Sequence, residues 1–220
     1  MRVEAHWIPG PWRGRLGIVA RPRGGDWLED EVQGWRAAGV DLVVSLLTHD
    51  EVSELQLEEE ERWCREESVG FRSLPIPDRG VPSALEPLAE LVGAMRQAVE
   101  SGESVVVHCR QGIGRSALVI ALVMAALGEE PARAFEKIAS VRGRPVPDTR
   151  EQRDWVEHVG PDLMLACQDR SNGQLSVARE TPAPYGRARN PLGMAETVGE
   201  RDATQQANAA DRPKVSTEKK

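Results

Sequence analysis

Apolar positions alternate along the chain between short continuous runs and stripes at helical spacing. Residues 15–20 (Arg-Leu-Gly-Ile-Val-Ala) read as a short strand closed by the turn signals Pro22 and Gly24-Gly25. Residues 27–38 put Leu28, Val32 and Trp35 on one side of a helix, with Gly39 as its stop. Residues 40–47 form a β-branched apolar run of the length expected for a buried strand. Residues 51–69 are helical and strongly acidic, in two pieces, and 71–76 predict a strand ending among Pro75 and Pro77. The stretch 84–99 carries Leu85, Leu88, Leu91, Val92, Met95 and Val99 on one face of an amphipathic helix. Ser83 with Glu86 offers a capping box for it, whereas Pro87 would suit a later start. Residues 104–107 predict a buried strand that runs directly into His108 and Cys109. Residues 117–127 are apolar all round, which predicts a central buried helix. Two more helices follow at 131–142 and 149–159, with Asp148 and Glu151 as a capping pair for the second.

Strands alternating with helices predict an α/β domain: a central, mostly parallel sheet with helices on both faces. The pattern stops near Cys167, so residues 1–166 are read as the domain and 167–220 as a disordered polar tail. Composition sharpens that boundary. Residues 1–170 carry 20 Lys and Arg against 29 Asp and Glu, a net charge of −9; residues 171–220 carry 8 against 6, a net of +2. The same fifty tail residues hold only five Leu, Ile, Val or Phe, too few for a packed core.

Several classes are excluded. The longest strictly apolar run is eleven residues, where a membrane-spanning helix needs about 20. The first residues after Met1-Arg2 show no apolar core of a secretory signal. Cys64, Cys109 and Cys167 are odd in number and far apart, which speaks against a disulfide framework and a cysteine-based metal site. A reducing cytoplasm is the expected compartment. An acidic body of this kind is a poor nucleic-acid binder, because that function needs a basic surface to displace counterions.

The chemistry concentrates in residues 105–117, Val-Val-Val-His-Cys-Arg-Gln-Gly-Ile-Gly-Arg-Ser-Ala. A loop between a buried strand and a helix N-terminus can turn successive amides into one concavity. Gly112 and Gly114 allow positive φ and close approach of the backbone to a ligand. The helix dipole adds partial positive charge, and Arg115 adds a planar fork for two phosphate oxygens. Cys109 lies at the floor of this cradle, where the same amides and helix terminus that would hold a phosphate would also stabilise a thiolate. Ser116 can donate a hydrogen bond to the sulfur. These residues predict a nucleophilic cysteine facing a bound phosphate.

The His-Cys-x-x-Gly-x-x-Arg-Ser loop resembles the signature of the protein tyrosine phosphatase superfamily, and the spare size of the chain resembles its dual-specificity branch. The likeness extends over about residues 7–160. It implies that Cys109 is the nucleophile, that Arg115 binds phosphate and stabilises the transition state, that His108 orders the loop, and that Ser116 assists thiolate expulsion. The amides of Arg110, Gln111, Gly112, Ile113, Gly114 and Arg115 would line the phosphate site. The family's general acid, an aspartate about thirty residues before the cysteine, corresponds to Asp78 in Pro77-Asp78-Arg79-Gly80, with Gly80 as a candidate hinge. Asp78 would then serve as base when water releases the phosphate. The glutamine that some branches use to orient this water corresponds to Gln152, and Arg142 and Arg144 could form a basic rim. No metal and no organic cofactor is implied.

The expected activity is hydrolysis of phosphotyrosine, and of phosphoserine or phosphothreonine, in protein or peptide partners through a phosphocysteine. The rival substrates are phosphoinositides or small phosphoesters, for which a second cation at Arg110 would be useful. A phosphate-binding module without turnover has no need of Cys109, Arg115 and Asp78 together, and a sulfur transferase has no use for Asp78. The sole tyrosine, Tyr185, lies in the tail, so the domain has no tyrosine with which to sandwich a substrate phenol. The acidic run 58–61 reads as a solvated helix face, and Cys64 and Cys167 read as inert thiols.

Overall fold

The computed structural model describes residues 4–173. Of the tail expected at 167–220 to be disordered, residues 167–173 instead continue the last helix, and the rest lies outside the described residues. Five strands and seven α-helices are formed among them: β1 (His6–Ile8), β2 (Arg15–Ile18), α1 (Leu28–Ala37), β3 (Leu42–Ser45), α2 (His49–Glu54), α3 (Glu60–Glu66), β4 (Gly70–Ser73), α4 (Leu85–Ser101), β5 (Ser104–His108), α5 (Arg115–Ala126), α6 (Pro131–Arg142) and α7 (Arg150–Gly173). The sheet order is β1-β2-β5-β3-β4, with β1 antiparallel to β2 and the other pairings parallel.

Side-chain alternation divides the apolar residues between two layers. Val43 and Val106 point to the face covered by α1 and α3, with Leu28, Val32, Trp35 and Cys64. Val44, Val105 and Val107 point to the other face, against α4, α5 and α6. Buried on both sides, β5 is the middle strand, which is why its sequence is apolar without alternation. Helix α5 is enclosed by the sheet and by α4, α6 and α7, as its all-round apolarity demands.

Three details depart from the sequence reading. Strand β1 was not anticipated; three residues carry too short a pattern to register, and antiparallel pairing to β2 holds them. Helix α4 begins at Leu85 from an extended Ala84 with no side-chain cap, so the Ser83–Glu86 box does not form. Pro87 then falls in the first turn, where its missing N–H removes no helical hydrogen bond. Helix α7 is capped one residue later than expected: Thr149 Oγ1, not Asp148, accepts from the amide of Gln152 at 3.1 Å. That shift leaves the Asp148 side chain available elsewhere.

Candidate active site

The carboxyl end of β5 is pinned on both sides, with Val19 N donating to Val107 O and Leu46 N to His108 O, each at 3.1 Å. The chain then turns through residues 109–114 and enters α5 at Arg115. Ligands in open α/β sheets bind outside the carboxyl ends of the strands. Cys109 is buried, and its Sγ accepts a hydrogen bond from Gly112 N at 3.2 Å. Gly112 needs to be glycine on two counts. Its φ is +64°, and a Cβ would lie 2.8 Å from Ile18 Cγ2. At Gly114 the restriction comes from side chains, since a Cβ would collide with Asp148 Oδ2 and lie 2.9 Å from Gln152 Oε1.

Arg115 is fully buried and held from three directions. Its Nη1 and Nη2 donate to Glu51 Oε2 and Oε1 at 2.6 and 2.8 Å; Nη1 also donates to Ile76 O at 3.0 Å, and Nη2 to Asp78 Oδ1 at 3.0 Å. Glu51 comes from α2, where the same carboxylate accepts from Thr48 N while Thr48 Oγ1 accepts from Glu51 N. The hydrogen bond from Arg115, opposed by burial, holds the Glu51 carboxyl below the usual carboxylate range. Glu51 thus fixes the fork of Arg115 toward the loop.

Asp78 occupies the turn Pro77–Gly80, closed by Gly80 N donating to Pro77 O at 2.9 Å. The left-handed position of this turn is Arg79, with φ 57°, and not the glycine beside it. The cavity at the loop is lined by Asp78, Arg79, Cys109, Arg110, Gln111, Arg115 and Asp148. Gln152 is fully buried next to it and donates from Nε2 to Gly80 O at 2.8 Å, tying α7 to the turn that carries Asp78.

The remaining expected residues are placed differently. His108 points away from the loop into the α1 and α3 layer. There its ring stacks 6.0 Å from Trp35, and Nε2 lies 2.8 Å from Glu60 Oε1, off the line of a hydrogen bond. Ser116 Oγ is buried and makes no hydrogen bond among the described residues, to Sγ or to anything else. Arg110 turns its guanidinium onto Glu54, at 2.9 and 2.5 Å. Arg142 Nη2 donates to Gln111 O at 3.1 Å and supports the loop from behind, while Arg144 is exposed and does not line the cavity. Cys64 is buried in the opposite layer, where burial and the charges of Glu60 and Glu61 push its thiol up to about 12.

Glu51, Glu54 and Glu60 are missing from the site that the sequence predicts, and Asp148 enters there only as a helix cap. Only Glu51 left a signal, the Thr48-x-x-Glu51 capping box. Among the described residues, no group of three or more His, Cys, Asp or Glu could hold a metal ion, and no helix is long and apolar enough to cross a membrane.

A buried cysteine under a glycine-shaped amide loop, an arginine locked at its end and an aspartate on a facing turn define a cysteine-based phosphatase site. The chain belongs to that class through a particular family. Residues 12–161 match PTP-SAK, the Swiss Army Knife protein DSP-PTPase phosphatase domain. Among curated proteins it is similar to rat (Rattus norvegicus) cyclin-dependent kinase inhibitor 3, 22% identical over 154 residues, covering 69% of this chain and 72% of the relative. Among solved structures it resembles kinase associated phosphatase with its catalytic-site cysteine substituted by serine. That match has a TM-score of 0.68 at 19% identity and covers 76% of this chain and 98% of the other. It also resembles Tk-PTP in its active form, with a TM-score of 0.58, 26% identity and coverage of 71% and 96%.

Proposed function

We propose that this phosphatase hydrolyses phosphomonoesters on protein partners, phosphotyrosine foremost and phosphoserine or phosphothreonine more slowly, through a phosphocysteine on Cys109. The Cys109 thiolate attacks phosphorus in line, and Asp78 gives its proton to the departing oxygen. Tyrosine and serine oxygens are poor leaving groups without such an acid. Arg115 and the amides from Arg110 to Arg115 hold the equatorial oxygens as charge redistributes, a preorganised electrostatic contribution. The Ser116 hydroxyl, without a partner among the described residues, would turn to the sulfur as it leaves. The chemistry requires a reduced Cys109, which suits a reducing cytoplasm.

The observation that carries this reading is the convergence of Cys109, Arg115 and Asp78 on one small cavity, with Arg115 oriented by Glu51. Arg110, whose charge a polyphosphorylated headgroup would use, is engaged by Glu54, and Asp148 adds negative charge at the rim. A single phosphoryl group on a peptide fits that balance better than a phosphoinositide.

The test is a set of initial rates on phosphotyrosyl, phosphoseryl and phosphothreonyl peptides and on dispersed phosphoinositides. Phosphotyrosyl peptides should give the highest kcat/KM by about tenfold or more, a difference of roughly 1.4 kcal/mol in transition-state stabilisation. A preference for the lipids would overturn the assignment.

A further inference from the structure

Among the described residues, two hydrogen-bond acceptors converge over Gly114 with no donor between them. Gln152 Oε1 is buried and has no partner there, and Asp148 Oδ2 crowds the same space, as the hypothetical Cβ of Gly114 shows. The Gln152 amide cannot relieve the conflict by turning over, because Nε2 is committed to Gly80 O at 2.8 Å. Asp148 has neither an ion pair nor a hydrogen bond among the described residues, yet it lines the cavity with Cys109. A buried acceptor without a partner is costly, so the site favours a molecule with two donors and little volume. Water satisfies both oxygens at once and keeps its lone pairs for a third group.

We infer that Asp148 is the carboxylate that takes the proton from water when the phosphocysteine is hydrolysed, the water being the one that the family likeness already gives Gln152 to orient. The inference rests on the phosphocysteine route proposed above and divides its two steps between two carboxylates. Asp78 is engaged by Arg115 Nη2 at 3.0 Å, whereas Asp148 lines the cavity without an ion pair among the described residues, its Oδ2 crowding the space over Gly114 that Gln152 Oε1 also faces. In the step, water oxygen bonds to phosphorus, the sulfur–phosphorus bond breaks and its electron pair returns to Sγ as thiolate. One water proton passes to Asp148 and the other remains on the phosphate. The dianionic phosphocysteine, water and carboxylate thereby become thiolate, hydrogen phosphate dianion and carboxylic acid, which loses its proton to solvent as phosphate departs.

The experiment is rapid mixing with p-nitrophenyl phosphate, whose leaving group needs little help. Asp148→Asn should release about one equivalent of nitrophenolate per enzyme at nearly the wild-type rate, then turn over roughly 10²-fold more slowly. The phosphoryl group should then be found on Cys109 by intact-protein and peptide mass. Asp148→Glu should restore much of the steady rate. The inference is overturned if Asp148→Asn leaves the steady rate unchanged, or if burst and steady rate fall together, as a structural lesion would make them. It is equally overturned if Asp78→Asn, and not Asp148→Asn, produces the burst. A wild-type protein that releases no nitrophenolate gives a different signal, and that result defeats the phosphatase chemistry itself.

Discussion

Glu51 meets both terminal nitrogens of Arg115, at 2.6 and 2.8 Å, with the same carboxylate that caps the helix bearing it. One side chain therefore supports a local fold and orients the phosphate-binding fork. Glu51→Gln keeps the shape and part of the cap but leaves a buried guanidinium short of its counter-charge. Breaking such a pair costs up to about 3–5 kcal/mol. We expect a clear fall in Tm, and kcat/KM on an aryl phosphate lowered by about 10- to 100-fold.

The same pair sets an acid limit. Because Arg115 holds the folded-state carboxyl of Glu51 low, its stabilisation is fully present above the unfolded value of about 4.3 and is lost as pH falls through the lower folded value. The contribution of Glu51 to the denaturation midpoint should therefore be constant with pH near neutrality and fall away in the acid range. The Glu51→Gln protein should lack that portion of the drop. Parallel curves for the two proteins down to pH 3 would contradict it.

Asp78 faces the cavity from the Pro77–Gly80 turn, where its Oδ1 accepts from the outer nitrogen of Arg115. Asp78→Asn should lower the rate on a phosphotyrosyl peptide or phenyl phosphate by roughly 10²–10⁴ while affecting p-nitrophenyl phosphate far less. Equal losses on both substrates would remove Asp78 from the acid role.

Cys64 and Cys109 are both buried free thiols, in different layers. With its thiol pushed up to about 12, Cys64 should resist iodoacetamide at pH 7–8 in the native protein and react only after denaturation. Cys109 should alkylate readily and be protected by phosphate. Peptide mapping distinguishes the two, and native labelling of Cys64 would refute the first expectation.

Gly112 combines a left-handed φ with a clash that any side chain would meet. Gly112→Ala should destabilise by about 1–2 kcal/mol or more and displace the amide that bonds Sγ. Phosphate affinity and turnover should fall together, which isothermal titration and steady-state rates would show.

Much of this was legible in the chain because the strongest signals are local. The apolar run of β5, its abrupt change at Cys109 and the uniform apolarity of α5 place the loop before any contact is known. The site's acidic residues were illegible for the opposite reason. Glu54 and Glu60 lie in an acidic stretch whose members look alike, and only tertiary packing sets one against Arg110 and another against His108. Asp148 reads as a cap because it stands before a helix. A one-residue shift of the helix start to Thr149 sends it to the cavity instead. His108 was expected to brace the loop, but strand alternation turns its ring to the far layer.

The hydrogen bond from Gln152 to Gly80 spans 72 positions of sequence and joins the acid-bearing turn to α7. Its consequence is a form of timing. A substrate that seats badly and pushes the turn outward would pull on the amide whose other atom faces Gly114. Poor fit at the surface would thus be felt as a delay in regenerating the enzyme, even after phosphoryl transfer had succeeded. Selectivity among partners would then be exercised twice, once on entry and again on release.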